Sequence, residues 1–394
     1  MLLMATVGFA LNFWAWALLS PLGTHFKQSL NLSSFDQALL VAVPVVVGSL
    51  GRIPVGALTD RFGGRVMLPV VSAVTIVPVL FIGYAGYHSY AGLLVGGFFL
   101  GIAGTSFAVG VPFVSSWFPP ARRGAAIGIF GMGMGGTAIS ALTTVKLMNH
   151  RGIAAPFAIV AVALAVYAVV AWAVLRDAPD RVRPTEPTLK RLAATAKLAV
   201  TWQASGLYAV GFGGYVAFSV YLPTYLKNAY ALNQDDASMK MAGFVLLAVA
   251  LRPVGGWLSD RWAAACVLAI AFTVVVACAF VQASTPALAP TATIAFLAMA
   301  AALGTSAGAV FALVAQRAPA NRVGAVTGVV GAAGGLGGFI PPLFMGSLYG
   351  RTNSYASGLA ALAVVALVAV VGSAAMSGRR QRGLPSRDLP PEVS

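Results

Sequence analysis

The chain has 394 residues, of which 59% are apolar and only 9% are charged. Soluble domains typically carry about 25% charged residues, so this composition excludes a soluble globular enzyme or binding domain and predicts a polytopic membrane protein. The net charge of +15 does not indicate a nucleic-acid partner, because the basic residues are distributed between apolar segments and are not gathered on one face.

Twelve apolar segments are long enough to cross, as helices, a hydrocarbon layer about 30 Å thick. The predicted spans are 2–22, 35–58, 66–86, 90–114, 124–146, 153–175, 198–226, 239–259, 263–282, 291–313, 324–349 and 355–376. The sequence therefore predicts an all-α membrane protein with twelve transmembrane helices. We expect two six-helix bundles, at 1–175 and 198–376, with a linker at 176–197 between them and a tail at 377–394.

The distribution of basic residues predicts how the chain is oriented in the membrane. With both termini in the cytoplasm, most of the 25 Lys and Arg residues fall on the cytoplasmic side, as the positive-inside rule requires. We therefore expect a multi-pass protein of the cytoplasmic (inner) membrane, in contact with lipid and with both termini inside. The linker is expected to be a solvated connector and the tail to be disordered.

No arrangement of residues in the sequence indicates an enzyme, a metal site or a cofactor. Cys266 and Cys278 are roughly 18 Å apart along one predicted helix and cannot form a disulfide with each other. The three histidines, His25, His88 and His150, fall in predicted loops on the outer side. No Ser/His/Asp grouping or phosphate-binding loop lies at a plausible depth, so we expect no enzymatic activity.

One arginine lies well inside an apolar span, in the stretch GSLGRIPVGALTDRFGGR at 48–65. Arg52 is roughly 12 Å inward from Asp60, at about 1.5 Å of helix rise per residue. An ionisable side chain at that depth is costly, faces a protein interior or a water-filled cavity, and marks a functional site by default. Arg52 is therefore the first candidate site residue.

The same pattern returns 200 residues later, in VALRPVGGWLSDR at 249–261, where Arg252 matches Arg52. Other matches at this offset pair Gly104, Thr105 and Ser106 with Gly304, Thr305 and Ser306, Pro119 with Pro319, and Gly124, Gly128, Gly131 and Gly135 with Gly324, Gly328, Gly331 and Gly335. Parallel halves with equivalent buried cations predict a transporter whose substrate site lies near mid-depth between the repeats.

The arginine pair predicts an anionic substrate. Two guanidiniums that face one cavity repel each other, and an anion between them lowers the local positive charge. Because a guanidinium is planar, permanently charged and offers paired donors, it suits a flat anion with equivalent oxygens, such as nitrate or nitrite. A structural alternative stays open, in which each arginine bonds to carbonyl groups and holds a kinked helix in place, near Pro54 and Pro253.

The loop GALTDRFGGR after the second span resembles the cytoplasmic signature loop of the major facilitator superfamily. The resemblance implies gating roles for Asp60 and Arg61, which would cap and pair across helix ends on the inner face and latch the outward-open state. Asp260 and Arg261 occupy the matching positions in GWLSDRWAAA, where the trailing glycine and basic residue are absent. We therefore expect the second latch to be weaker.

A closer resemblance rests on the glycine-rich fifth and eleventh spans together with the two arginines. GAAIGIFGMGMGGTAIS and GAVTGVVGAAGGLGGFIPPLFMG look like the corresponding helices of the nitrate/nitrite porter family, which has the major facilitator fold. The substrate-binding residues that this resemblance implies are Arg52, Arg252, Tyr208, Phe212, Phe107, Met134, Gly133, Gly136, Gly335 and Gly337. Where the family has Gly-Asn-x-Gly, this chain has Gly-Met-Gly-Gly from Gly133 to Gly136, so a hydrogen-bond donor near the anion is absent.

The resemblance implies a monomeric secondary transporter of nitrate and nitrite that works by alternating access. None of the ten acidic residues lies at mid-depth of a predicted span, so the carboxylate that proton-driven porters commonly use is absent and we expect nitrate/nitrite exchange. Because the family includes exchangers and symporters, proton-coupled symport stays open. Two further alternatives are a porter of another small anion such as a short carboxylate, which Met134 motivates, and a non-transporting anion receptor.

Overall fold

The computed structural model describes residues 1–179, 188–319 and 323–381, and this part of the chain forms helices with no β-strand. Twelve of its helical segments are long and apolar enough to cross a membrane. The predicted all-α class and the number of spans are confirmed. Most spans are longer than predicted, and the first and seventh reach Ser29 and Tyr230.

Four of the first six spans are divided into two helices. In chain order the helices are α1 (Leu2–Trp16) and α2 (Leu19–Ser29), α3 (Ser34–Leu50) and α4 (Arg52–Phe62), α5 (Gly64–Tyr84), α6 (Tyr90–Leu100) and α7 (Ser106–Trp117), α8 (Pro120–Gly131) and α9 (Gly136–Arg151), and α10 (Ala154–Val174). Short 3₁₀ segments lie at Gly86–His88, Gly101–Thr105 and Met132–Gly135.

The second six spans contain longer continuous helices. They are preceded by a short helix in the linker, α11 (Thr188–Ala196), and consist of α12 (Ala199–Tyr230), α13 (Gln234–Arg261), α14 (Ala264–Ala283), α15 (Thr293–Arg317), α16 (Val323–Gly337) with α17 (Ile340–Thr352), and α18 (Ala356–Gln381). An irregular helical turn at Leu288–Ala292 precedes α15.

Two of the helix breaks in the first half pack against each other. The break between α3 and α4 is at Gly51, and a Cβ added there would lie 2.9 Å from Cγ2 of Thr105, in the 3₁₀ segment between α6 and α7. Only glycine permits this close approach. Interrupted helices at mid-depth are typical of substrate sites in transporters, and Arg52 is the first residue after the break.

The two halves of the chain contact each other at one end of the bundle through buried hydrogen bonds. We call the end that carries the connection 175–198 the linker face, and the opposite end, with the turns at 30–33 and 231–233, the loop face. Near the loop face the Ser20 hydroxyl donates to the carbonyl of Val220 at 2.6 Å. The Gln37 amide nearby donates to Thr224 Oγ1 at 3.1 Å.

Several connections differ from their predicted structure. His25 lies in α2, His88 in a 3₁₀ turn and His150 in the last turn of α9, because these helical segments extend further than predicted at the loop face. The linker is partly helical, and α18 continues past the predicted start of the tail. The remainder of the linker, 180–187, and of the tail, 382–394, lies outside the described residues.

Candidate functional site

The guanidinium of Arg52 lies at the contact between the two halves. The side chain is 6% exposed, and its Nη1 donates a short hydrogen bond to the backbone carbonyl of Gly331 in α16, on the other half. Its Nε donates to the carbonyl of Gly104 at 3.4 Å. Arg52 therefore spans the interface through backbone acceptors.

The guanidinium of Arg252 crosses the same interface in the opposite direction. The side chain is 8% exposed and lies on α13 directly before Pro253. Its Nη1 contacts the Met134 thioether sulfur on the first half, and its Nη2 donates to the Tyr208 hydroxyl at 3.0 Å. Unlike Arg52, this arginine is held by side chains.

Aromatic rings lie against both arginines. Phe212 lies between them, with its ring centroid 5.7 Å from the Arg52 Cζ and 5.4 Å from the Arg252 Cζ. Tyr208 stacks on Phe212 at 4.7 Å, as expected for residues one turn apart on α12. Phe107 covers Arg52 from the first half, at 5.2 Å. Such cation–aromatic contacts stabilise desolvated guanidiniums.

The predicted glycines divide into two groups. Gly335 faces the site, because a Cβ there would overlap Ser49 Oγ and lie 3.3 Å from Arg52 Nη1. Gly133 and Gly136 face α1 instead, and a Cβ on Gly136 would overlap the carbonyl of Ala10. Gly337 similarly faces Ala209 of α12. The structure therefore brings seven of the ten predicted residues together: Arg52, Arg252, Tyr208, Phe212, Phe107, Met134 and Gly335.

Two side chains at this site were not predicted. Phe311 of α15 lies edge-on to Tyr208 at 4.8 Å and 6.3 Å from Phe107, so it joins the rings of both halves. Ser49 packs under Gly335. The sequence gives no signal for Phe311, because a single phenylalanine in an apolar span is typical of lipid-facing and packed positions alike. Ser49 could have been found from its place one turn before Arg52.

The partners of both guanidiniums are neutral in the part of the chain that the structure describes. They are two backbone carbonyls, a phenol, a thioether and aromatic rings. Acidic residues instead lie at span ends, for example Asp36 in the first turn of α3 and Asp235 in that of α13. Two buried positive charges therefore have no described counter-charge, which costs several kcal/mol per ion. Each guanidinium carries about five N–H donors, so donors remain for an anion.

The site is closed toward the loop face, and two glycine positions on its linker-face side are open. On the loop-face side, the Thr137 and Tyr215 hydroxyls of opposite halves are 3.3 Å apart. On the linker-face side, Gly56 and Gly256 lie one turn beyond Arg52 and Arg252 on the same helix faces. A Cβ at either glycine would have no described atom within 4 Å. The described residues are therefore less tightly packed beside these two glycines, on the linker-face side of the arginines.

The predicted gating residues lie at the linker face, where α4 and α13 end. Arg61 and Arg261 are exposed, and their Cζ atoms lie over the rings of Phe62 and Trp257, the latter at 4.2 Å. The side chains of Asp60 and Asp260 lie outside what the structure describes. The latch that involves these carboxylates stays a prediction.

Comparison with known proteins agrees with this architecture. The model of the Major Facilitator Superfamily matches residues 5–342. Among solved structures, the xylose transporter XylE from E. coli in a partially occluded inward-open conformation superposes with a TM-score of 0.74 at 14% identity, covering 98% of this chain and 97% of that one. A bacterial homologue of the human lysosomal transporter Spinster, inward-facing and occupied, also gives 0.74, at 18% identity and coverages of 97% and 96%. At these identities the likeness supports the fold alone.

Sequence relatives narrow the assignment. The chain is 51% identical over 370 residues to the probable nitrate/nitrite transporter NarK2 of Mycobacterium tuberculosis, covering 93% of this chain and 94% of that protein. It is 34% identical over 360 residues to the nitrite extrusion protein of Bacillus subtilis, with coverages of 91% and 90%. With its twelve apolar spans, the chain is a multi-pass membrane protein that belongs to the Major Facilitator Superfamily and, within it, to the nitrate/nitrite porter family.

Proposed function

We propose that this protein carries nitrate and nitrite across the cytoplasmic membrane by alternating access, and that Arg52 and Arg252 bind the anion together. The observation that carries the proposal is a pair of buried guanidiniums, one from each half of the chain. Among the described residues, the groups that contact them are all neutral. An anion between them offsets the cost of burying two like charges. The relatives named as nitrate/nitrite transporters support the same substrate class.

The shape of the site favours a small planar anion. Phe212 and Phe107 lie against the guanidiniums, and Phe311 packs on Phe107 and Tyr208. These rings leave little room for a large substrate. Ring faces repel anions, so in this proposal they exclude water and limit ligand size while the guanidinium edges supply the attraction. The predicted contribution of Gly133, Gly136 and Gly337 is indirect, through helix packing.

The charge of the empty site favours exchange over symport. Closing the halves around two unpaired guanidiniums costs several kcal/mol, so the return step is favourable only with an anion bound. In the described residues, acids lie at the ends of spans and not beside the arginines, and an arginine does not release its proton near neutral pH. We therefore propose obligatory exchange of nitrate for nitrite.

The proposed topology places the linker face in the cytoplasm. This orientation follows the excess of basic residues on that side, and it makes the present arrangement one that is closed to the outside. The halves 1–175 and 198–376 would move as two bodies, and Asp60 with Arg61 would hold the linker face together in the opposite state. We propose that a single chain suffices, because both arginines come from it.

Flux measurements in liposomes test the proposal. Purified protein is reconstituted into vesicles that contain nitrite, nitrate or neither, and uptake of labelled nitrate is followed with and without an imposed pH gradient. We expect uptake only into vesicles that contain an anion, at a rate that the gradient does not change. Concentrative uptake into anion-free vesicles, driven by the gradient alone, would establish proton symport and contradict exchange.

Two further arms separate the remaining alternatives. Unlabelled formate and acetate added outside should not compete with labelled nitrate, and strong competition would indicate a carboxylate porter. A receptor would bind nitrate in a detergent-solubilised binding assay but would give the flux of protein-free vesicles.

A further inference from the structure

A second site for an anion lies at the loop face, between the outer ends of α2 and α12. It is a cavity of about 410 Å³ whose polar lining residues are Thr24, Lys27, Gln28, Asn31, Lys227 and Asn228. One lysine comes from each half of the chain. Among the described residues that line the cavity there is no carboxylate, so its formal charge is positive.

The cavity is built from a duplicated segment. Thr24, Lys27 and Gln28 of α2 match Thr224, Lys227 and Asn228 of α12 at the same offset of 200 residues that relates the two arginines. The turns that follow are also alike, since Asn31 and Ala231 both have a left-handed backbone, with φ of 51° and 54°. The lysine pair therefore repeats, at the loop face, the symmetry of the arginine pair.

The lysines keep their charge available to a ligand. Both side chains are only partly buried, and Lys27 Nζ donates to the neutral hydroxyl of Ser34 at 3.0 Å. The nearby acids Asp36 and Asp236 cap the N-termini of α3 and α13. Asp36 accepts from the backbone N–H of Ser33, and Asp236 accepts from the side-chain amide of Asn233. A monovalent oxoanion would meet two ammonium groups and the amide of Gln28, whereas the Asn228 amide donates to the Tyr355 hydroxyl at 2.9 Å.

The cavity lies directly on the solvent side of the contacts that close the loop face. The Gln37 amide donates to Thr224 at 3.1 Å and lies 3.5 Å from the hydroxyl of Thr24, so one buried glutamine bridges the two lining helices. Separation of the halves would break this bridge and open a path from the lysines toward the arginines. An anion at the lysine pair is thus positioned at the entrance of the proposed route.

We infer that Lys27 and Lys227 form an entrance site that captures a small oxoanion from the loop-face side before the halves separate. The inference rests on the proposed function, because it takes nitrate and nitrite as the ligands. Two partly buried positive charges around a shared cavity raise the local anion concentration and the rate of association, and salt weakens both effects. The site affects the binding of the anion from the loop-face side and not the transport step itself.

The test uses membrane vesicles of defined sidedness, made from cells that express the full chain and lack nitrate-reducing enzymes. Nitrate/nitrite exchange is measured with wild type, Lys27→Gln, Lys227→Gln and the double variant, at low and high ionic strength. We expect the double variant to raise the KM for nitrate about fivefold or more at low salt, only when nitrate is presented to the loop face. The maximal rate and the linker-face KM should stay within about twofold of wild type, and high salt should remove the difference.

Two controls separate a charge effect from a structural one. Lys240→Gln removes an exposed lysine of α13 that does not line the cavity and should leave both KM values unchanged. The double arginine variant, Lys27→Arg with Lys227→Arg, should restore the loop-face KM. An unchanged loop-face KM in the double glutamine variant, an equal effect at both faces, or no restoration by arginine would each overturn the entrance site. Failure of the wild type to exchange the anions would instead overturn the proposed function.

Discussion

The two arginines of the duplicated pattern occupy equivalent sequence positions but different surroundings. Arg52 follows a break in its span and reaches two backbone carbonyls, whereas Arg252 lies within a continuous helix and contacts a phenol and a thioether. Phe212, which comes from the second half, contacts both. The two arginines therefore carry the same charge, but different kinds of groups hold them in place.

This difference indicates how a duplicated chain can surround two equivalent arginines with different contacting groups. On the Arg52 side the close approach of the backbone depends on Gly335, where a Cβ would overlap Ser49 Oγ and lie 3.3 Å from Arg52 Nη1. Side-chain acceptors can be exchanged without moving the backbone, so the surroundings of Arg252 are where relatives with different substrates can differ. Substitutions near Arg52 should therefore act by changing how closely the backbone approaches. Substitutions near Arg252 should act by changing the groups that accept hydrogen bonds from the guanidinium.

The largest expected effect comes from replacing either arginine by lysine. Lysine keeps the charge but loses the planar pair of donors, so Arg52→Lys and Arg252→Lys should each reduce exchange about 100-fold or more. The melting temperature and the gel-filtration profile should stay close to those of wild type. Near-normal flux in either purified variant would show that the site does not need two guanidiniums and would favour the structural alternative for that arginine.

Next in size is the effect of filling the space beside Arg52. Gly335→Ala places a methyl group against Ser49, whose hydroxyl is fixed by a 2.7 Å bond to the Val45 carbonyl, and 3.3 Å from the Arg52 guanidinium. Overpacking of this kind costs about 1–3 kcal/mol, so we expect the KM for nitrate to rise about fivefold or more.

The matched control is the equivalent glycine of the first half. Gly135 occupies the same place in the repeat, but a Cβ there has no described neighbour within 4 Å, so Gly135→Ala should change the KM by less than about twofold. Both variants are compared by counterflow and by thermal unfolding. Equal effects of the two substitutions would mean that the asymmetry of the site does not matter for binding.

Much of the fold follows from the sequence because each span has to satisfy its backbone hydrogen bonds internally. The number of spans, the repeat and the meeting of Arg52 with Arg252 could be predicted from hydropathy and one offset. The breaks within spans could not, because apolar composition continues through Gly51. The roles of Phe311 and of the lysine pair also needed the structure, since they depend on which helix faces meet across the halves.

The smallest expected effect concerns the partner of Arg252. Met134 occupies the position at which the resemblance to the porter family implies an asparagine; it is fully buried and its sulfur accepts from the guanidinium. A thioether is a weak acceptor and donates nothing. In Met134→Asn the amide oxygen can take over the bond to Arg252, and the amide N–H groups become available to an anion between the arginines.

We expect Met134→Asn to tighten nitrate binding by about 0.5–1.5 kcal/mol, the usual net contribution of one hydrogen bond, which is roughly a 2- to 10-fold lower KM. The shorter side chain also leaves a small cavity, so the melting temperature should fall even as affinity rises.

Met134→Leu separates the two causes, because it removes the sulfur at nearly constant volume and adds no donor. Its affinity should equal that of wild type or be lower. An unchanged or weaker affinity in Met134→Asn would mean that the pocket around Arg252 has been rebuilt for methionine, and that its acceptors are set by packing and not by hydrogen-bond chemistry.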